Sequence, residues 1–349
     1  MVECAFAIPG DIGLPTGGYA YDRRLLALMP ADGVELVHLP LPGSFPFPTE
    51  QDLDLTGSRL FAVPPTRVLL IDGLAYGALP ERLISSIRAP IVALVHHPLG
   101  LEAGLGEPEH ERLIDSERGA LALARHIVVT SAATARLLVQ DFAVTSERIT
   151  VAVPGVEPAP RARGSGAPSV HILAVGAVVP RKGYDLLVEA LAGLKPLAWH
   201  LTIAGALDRS PKTARTLEAQ IARLGLEERL TLAGAVDDAA LAQLYDGADL
   251  FVMSSHFEGY GMVLAEALAR GLPIVTTTGG AAGETVPDAA AIKVMPGSAR
   301  ALMWVLGRAL DEPRLRSAMA DAAWSAASAL PRWEATSAIV ADVIRRVAR

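Results

Sequence analysis

The chain has 349 residues, 51% hydrophobic and 20% charged, a globular composition long enough for two cores rather than one. A net charge of −7 and a pI of about 5.7 exclude nucleic acid as the main partner. Cys4 is the single cysteine, which excludes an internal disulfide and a Cys-built zinc site and suits a reducing compartment. Residues 1–155 carry eleven Arg, no Lys and eighteen acidic side chains, so the excess negative charge lies in the first half. No apolar run reaches the ~18–20 residues of a transmembrane span. The opening, Met-Val-Glu-Cys-Ala-Phe-Ala-Ile-Pro-Gly, lacks the basic region of a signal peptide. The expected address is the cytoplasm, with peripheral contact at the inner face of a membrane left open.

Along the chain, short apolar runs alternate with segments of helical period. Strands are expected at Cys4–Ile8, Val34–His38, Val68–Ile71, Ile91–His96 and His126–Thr130, with helices at Ala20–Leu28, Leu79–Ile87 and Ala132–Gln140. Val/Ile/Leu runs without strict alternation suit parallel strands covered on both faces. Pro154–Ser169 is rich in Pro, Gly and Ser and reads as an interdomain linker. The pattern then restarts, with strands at His171–Val175, Leu201–Ala204, Leu230–Ala233, Leu250–Met253 and Ile274–Thr277. Helices are expected at Asp185–Leu191, Ala214–Leu224, Ala239–Tyr245, Met262–Arg270, Ala301–Leu310, Arg314–Leu330 and Trp333–Val347. The fold class is therefore α/β, with two doubly wound domains in series. Expected bounds are 1–160 and 168–331, followed by a C-terminal helix over 332–349. Such sheets bind ligands at strand carboxyl ends, so the expected site is a cleft between the domains.

Four stretches carry chemistry. Phe257-Glu258-Gly259-Tyr260-Gly261-Met262 follows a strand and opens a helix, and Glu266 lies two turns further on. Glycines at a helix start let backbone N–H groups approach anionic oxygens, although a capping Glu and a solvated Glu would account for the two carboxylates. Gly176-Ala177-Val178-Val179-Pro180-Arg181-Lys182-Gly183 places two cations on a strand-to-helix turn, suited to a diphosphate. Only four of the 31 basic residues are Lys, so Lys182 stands out. Thr16-Gly17-Gly18-Tyr19 is a second candidate phosphate-facing turn. His96 and His97 end a hydrophobic strand, and adjacent strand residues face opposite ways, so one of the two points to the cleft. With no Cys or carboxylate at ligand spacing beside them, no metal is expected. The five Glu of Leu99–Glu117, and Asp72-Gly73-Leu74, are candidate acceptor lining; a solvated acidic loop explains the former equally.

Together these stretches resemble glycosyltransferase family 4, retaining nucleotide-sugar transferases of the GT-B fold. The resemblance is sharpest from Val170 to Glu284 and turns on the Glu-x7-Glu spacing of Glu258 and Glu266. It implies that Glu258 lies near the donor sugar, that Glu266 holds the ribose hydroxyls, and that the backbone of Gly259, Tyr260 and Gly261 meets sugar and phosphate. It further implies that Lys182 stabilises the leaving diphosphate, with Arg181 substituting for an Arg that is Ala177 here. Gly17, Gly18 and Gly176 correspond to donor-binding turns, and Gly205, Ala235 and Val236 to the base pocket. Gly279, Gly280 and Glu284 close the donor pocket, and His96 (or His97) faces the reacting sugar. The implied reaction moves a hexose from a nucleotide sugar such as UDP- or GDP-hexose to a carbohydrate, lipid-linked or small-molecule acceptor. No cofactor or metal is implied, and acceptor and oligomeric state stay open. Rivals are a GT-B epimerase or phosphorylase, or a nucleotide-sugar-binding module without turnover. A dehydrogenase lacks support, because Gly-x-Gly-x-x-Gly is absent.

Overall fold

The computed structural model describes residues 1–349. They form two compact units, Met1–Gly155 with Pro331–Arg349, and Val156–Leu330. The first unit holds β1 (Val2–Pro9), β2 (Val34–Leu41), β3 (Val68–Asp72), β4 (Ile91–Val95), β5 (His126–Val129) and β6 (Ile149–Val151). They make one parallel sheet in the order β2-β1-β3-β4-β5-β6. β3 and β4 are buried along their whole length, as helices on both faces require, whereas edge strand β2 alternates buried and exposed residues. From β1 the chain winds to β2 on one side, then crosses back to β3 on the other. The carboxyl ends of β1 and β3 therefore flank a topological switch point, where the two connections diverge and leave a crevice.

The second unit repeats the plan with β7 (Val170–Val175), β8 (Trp199–Ala204), β9 (Leu230–Gly234), β10 (Leu250–Met253), β11 (Ile274–Thr277) and β12 (Ala291–Val294). Their order, β12-β11-β10-β7-β8-β9, puts the switch point between β7 and β10. Leu187, Val188 and Leu191 of the helix Tyr184–Ala192, with Leu302, Val305 and Leu306 of Ala299–Asp311, pack against Ile172, Leu201 and Ile203 of the sheet. No helix is long and apolar enough to cross a membrane.

Several sequence expectations change. The helix expected over Leu79–Ile87 shrinks to Glu81–Ile84. Pro80 sits before it with extended backbone, so the turn cannot continue backwards through it. Pro154–Ser169 is no free linker: the units divide at Gly155, and the rest is tied onto the second unit. Asp246 Oδ2 accepts from Arg163 Nε (2.8 Å), and Asp249 accepts from the Ser165 N–H (3.0 Å) and hydroxyl (2.6 Å). The acidic stretch Leu99–Glu117 is not a solvated loop. Most of it belongs to the helix Glu107–Leu123, whose Glu117 is fully buried with Oε2 accepting from the Leu99 N–H at 2.8 Å. Unanticipated elements are β6, β12 and the helix Glu50–Phe61; the last opens with a Thr49/Asp52 capping box. The helix Trp333–Val347 lies in the first unit, where Trp333 meets Tyr21 edge-on at 5.5 Å and Thr336 donates to the Val153 carbonyl at 2.7 Å.

Candidate functional site

The β7–β10 switch point gathers the residues singled out in the second half. Arg181 and Lys182 occupy a 3-10 turn, Pro180–Lys182, after β7. Glu258 lies in the loop after β10. Lys182 Nζ approaches Glu258 Oε1 at 2.7 Å and Arg181 Nη1 approaches the same oxygen at 3.1 Å. Arg181 also donates to the Phe257 carbonyl (2.8 Å), and the Ser255 hydroxyl donates to Glu258 Oε1 (2.6 Å). Burial disfavours a charged Glu258, yet the two cations outweigh it and pull its pKa down to about 2. Glu258 is thus a permanent anion, and with Arg181 and Lys182 it leaves the trio one positive charge in excess.

The loops carrying this trio are bound to each other. Ser254 donates from its hydroxyl to the Lys182 carbonyl (2.8 Å), and the His256 N–H donates to the Arg181 carbonyl (2.8 Å). The loop after β11 joins the same assembly, with the Ala281 N–H donating to the Glu258 carbonyl (2.8 Å). Gly280 makes that approach possible: its φ is +64° and a Cβ there would overlap the Glu258 carbonyl. Glu284, expected to close this pocket, is exposed on the next short helix, Ala282–Thr285.

Gly261 caps the helix Met262–Ala269 with no side-chain hydrogen bond and no acidic residue in the first turn. Gly259 and Tyr260 lead into it. This bare N-terminus carries the partial positive charge that favours an anion. Tyr260 is half-buried, its carbonyl accepting from Thr285 Oγ1 at 2.6 Å. Glu266, half-buried on the same helix, accepts at Oε2 from the Tyr245 hydroxyl at 2.9 Å. Burial raises its pKa against the lowering pull of Tyr245 and Arg270. The Arg270 guanidinium lies 4.4 Å from the Tyr245 ring centroid, holding that ring under the carboxylate. Sequence reasoning missed Tyr245, which is buried at the end of a different helix, Asp238–Asp246, and carries no motif of its own.

Gly176, Gly205 and Ala235-Val236 lie at the carboxyl ends of β7, β8 and β9. The Gly205 N–H donates to the Gly234 carbonyl (2.8 Å), and a Cβ on Gly205 would overlap the Gly176 carbonyl. Gly205→Ala should therefore destabilise the chain by about 1–3 kcal/mol through overpacking. A denaturant midpoint equal to that of the parent protein would contradict that close approach.

In the first unit, the β1–β3 switch point holds a second cluster. Gly17 and Gly18 form the first turn of the helix Gly17–Leu28, capped by Thr16 Oγ1 accepting from the Tyr19 N–H at 3.3 Å. His96 follows β4 directly. Its Nε2 lies 3.0 Å from Asp22 Oδ1 and 3.4 Å from Asp72 Oδ2. The expectation that no carboxylate stands beside this His at ligand spacing is corrected: Asp22 and Asp72 are distant in sequence and adjacent in space. A Cβ on Gly18 would come within 3.3 Å of the His96 ring, so Gly18 leaves room for it. His97 turns elsewhere, with Nε2 3.6 Å from Glu102. Of the pair, it is His96 that joins the cluster.

The family model described as "Glycosyl transferases group 1" matches residues 160–325. An MMP alpha-(1->4)-mannosyltransferase from Mycolicibacterium hassiacum is 29% identical over 284 residues, covering 76% of this chain and 68% of that protein. A D-inositol 3-phosphate glycosyltransferase from Xylanimonas cellulosilytica is 31% identical over 253 residues, covering 68% of this chain. The chain spans 60% of that relative's length. Among solved structures, HepE of Anabaena in complex with UDP-glucose superposes with a TM-score of 0.78 over 98% of this chain and 99% of its own, at 19% identity. That likeness extends over both units and places the fold in the GT-B class. Residues 160–325 are thus a group 1 glycosyl transferase domain.

Proposed function

We propose that the chain transfers a hexose from a nucleoside diphosphate donor to an acceptor hydroxyl, with retention of configuration and without a metal. The observation that carries this reading is the convergence of Arg181, Lys182 and Glu258 at the β7–β10 switch point. When the glycosidic C–O bond to the diphosphate breaks, negative charge develops on the departing phosphate oxygen. Two preplaced cations and the bare helix N-terminus at Gly261 stabilise that charge without reorganising. Glu258, ionised at any working pH, does not deliver a proton; it orients both cations and lies close to the sugar. The new bond forms on the face the diphosphate leaves, and the acceptor's proton passes to the departing phosphate oxygen.

Glu266, steadied by Tyr245, holds the ribose; Gly205, Ala235 and Val236 border the base. The donor is a hexose of UDP or GDP, in keeping with the UDP-glucose bound by the Anabaena structure. The acceptor is a carbohydrate, a lipid-linked sugar or a small polyol, in keeping with the relatives' names. Incubation with a panel of nucleotide hexoses and acceptors, followed by mass and anomeric analysis of the product, tests this reading. Donor hydrolysis or epimerisation with every acceptor untouched would overturn it. Full activity is expected in excess EDTA, because Arg181 and Lys182 supply the charge a metal would bring. Activity lost to chelator and restored by Mg²⁺ or Mn²⁺ would contradict the metal-free route.

A further inference from the structure

The cluster at the β1–β3 switch point is more elaborate than a single sugar-facing histidine needs. Three chain segments converge there: Asp22 from the helix Gly17–Leu28, Asp72 from the end of β3, and His96 from the turn after β4. Asp22 is fully buried and Asp72 is 2% exposed. Asp22 Oδ2 has no hydrogen-bond partner in the protein. A bare carboxylate oxygen in such surroundings is costly unless a positive group stands beside it. The charged side chains facing the ring are these two aspartates. Its other neighbours are the edge of Tyr21, 5.2 Å away between centroids, and Gly18, while Thr130 Oγ1 donates to the His96 carbonyl at 3.3 Å. Glu102 engages the next residue, His97, and not His96.

A carboxylate oxygen only accepts, so an Nε2 set 3.0 Å from Asp22 Oδ1 and 3.4 Å from Asp72 Oδ2 carries a hydrogen. Nδ1 is then the ring atom that meets a ligand, and the side chain is 20% exposed. Burial raises the Asp22 pKa to about 7 against the lowering pull of His96, with Asp72 adding to the rise, so the carboxylate at 22 depends on the positive ring beside it. We propose that Asp22 and Asp72 are positioning residues that hold His96 as an imidazolium, so that Nδ1–H serves as a hydrogen-bond donor to a substrate oxygen and not as a base. This deepens the transferase reading and rests on it. Burial lowers the imidazole's pKa, but the two carboxylates more than reverse that and raise it well above its ordinary value. Asp72 has a second duty, since Oδ1 accepts from the Leu74 N–H at 2.7 Å, and Asn at 72 would preserve that acceptor.

The test uses the full chain with ¹⁵N-labelled histidine, the His96 signal being assigned among eight histidines by its loss in His96→Gln. In the wild type the ring should be doubly protonated near pH 8. In Asp22→Asn and Asp72→Asn its titration midpoint should fall by about one unit or more, a tenfold loss of proton affinity. Both variants should lose transfer at about pH 8 yet approach wild-type rate at about pH 6, where an ordinary imidazole is protonated, with donor KM little changed. Three results would each overturn the proposal. They are a neutral wild-type ring near pH 8, midpoints unmoved in both variants, or rate losses equal at the two pH values. A ring signal that shifts stoichiometrically with micromolar Zn²⁺ would also overturn it and make the cluster a metal site. If no donor supports transfer, the transferase reading fails, while the NMR midpoints still decide the protonation of His96.

Discussion

Lys182→Ala should lower transfer by about two to three orders of magnitude, the ~3–4 kcal/mol of transition-state stabilisation that one preplaced donor to developing charge supplies. The substitution has a second consequence, because Lys182 is also a partner of Glu258, whose side chain is 8% exposed. Removing one partner of a buried pair leaves an undercompensated charge and destabilises the fold. The sign of the pH effect follows from the depressed pKa. The stability contributed by an ionised Glu258 is fully present above the usual carboxylate value of 4.5 and is lost as pH falls through about 2. Without Lys182 that loss should begin at higher pH, so acid unfolding moves upward. The double variant Lys182→Ala/Glu258→Gln separates the two roles. Stability should partly return, because the stranded carboxylate is gone, while transfer stays low. Transfer within a few fold of wild type in Lys182→Ala would remove this residue from the mechanism.

Glu258→Gln and Glu266→Gln should move nucleotide affinity in opposite directions. Glu266→Gln removes an anion from the Tyr245-steadied carboxylate that holds the ribose, a part of the donor unchanged during reaction. Ground state and transition state then lose the same interaction, so KM rises and kcat changes little. A lost charged hydrogen bond is worth about 1.5–3 kcal/mol, or roughly ten- to a hundredfold in nucleotide diphosphate affinity. Glu258→Gln instead releases Arg181 and Lys182 from the carboxylate oxygen they share. The trio's net charge rises from one to two positive, so the free nucleotide diphosphate should bind more tightly while kcat falls. Calorimetry with UDP and GDP on both variants reads the two signs directly. Unchanged nucleotide binding in Glu266→Gln would end the ribose assignment. Weaker binding in Glu258→Gln would end the view that this carboxylate restrains the cations.

The α/β class and the strand-to-turn position of each candidate group are legible along the chain. Apolar runs too continuous for one-sided burial mark strands such as β3 and β4, and glycines and cations follow those runs at fixed places: Gly176 to Lys182 after β7, Glu258 to Gly261 after β10. These are local signals, carried by residues adjacent along the chain. Which of these groups lie side by side follows from the order of strands in each sheet. Lys182 follows β7 and Glu258 follows β10, 76 positions later, yet the sheet order makes those strands neighbours and brings Arg181 and Lys182 to one oxygen of Glu258.

The same reason explains what the sequence left unread. Asp22 carries no motif, and Asp72, expected only as acceptor lining, has nothing near it in the chain that points to His96; a crossover from β2 to β3 and the pairing of β3 with β4 bring the three together. Tyr245 reaches Glu266 from another helix. Pro154–Ser169 has the composition of a linker, and its binding to Asp246 and Asp249 depends on acidic residues about 80 positions away. Periodicity and turn chemistry act over a few residues, so they are legible along the chain. Hydrogen bonds and ion pairs between strand ends exist only once the sheet order is set, and that order is fixed by burying both faces of each sheet at once.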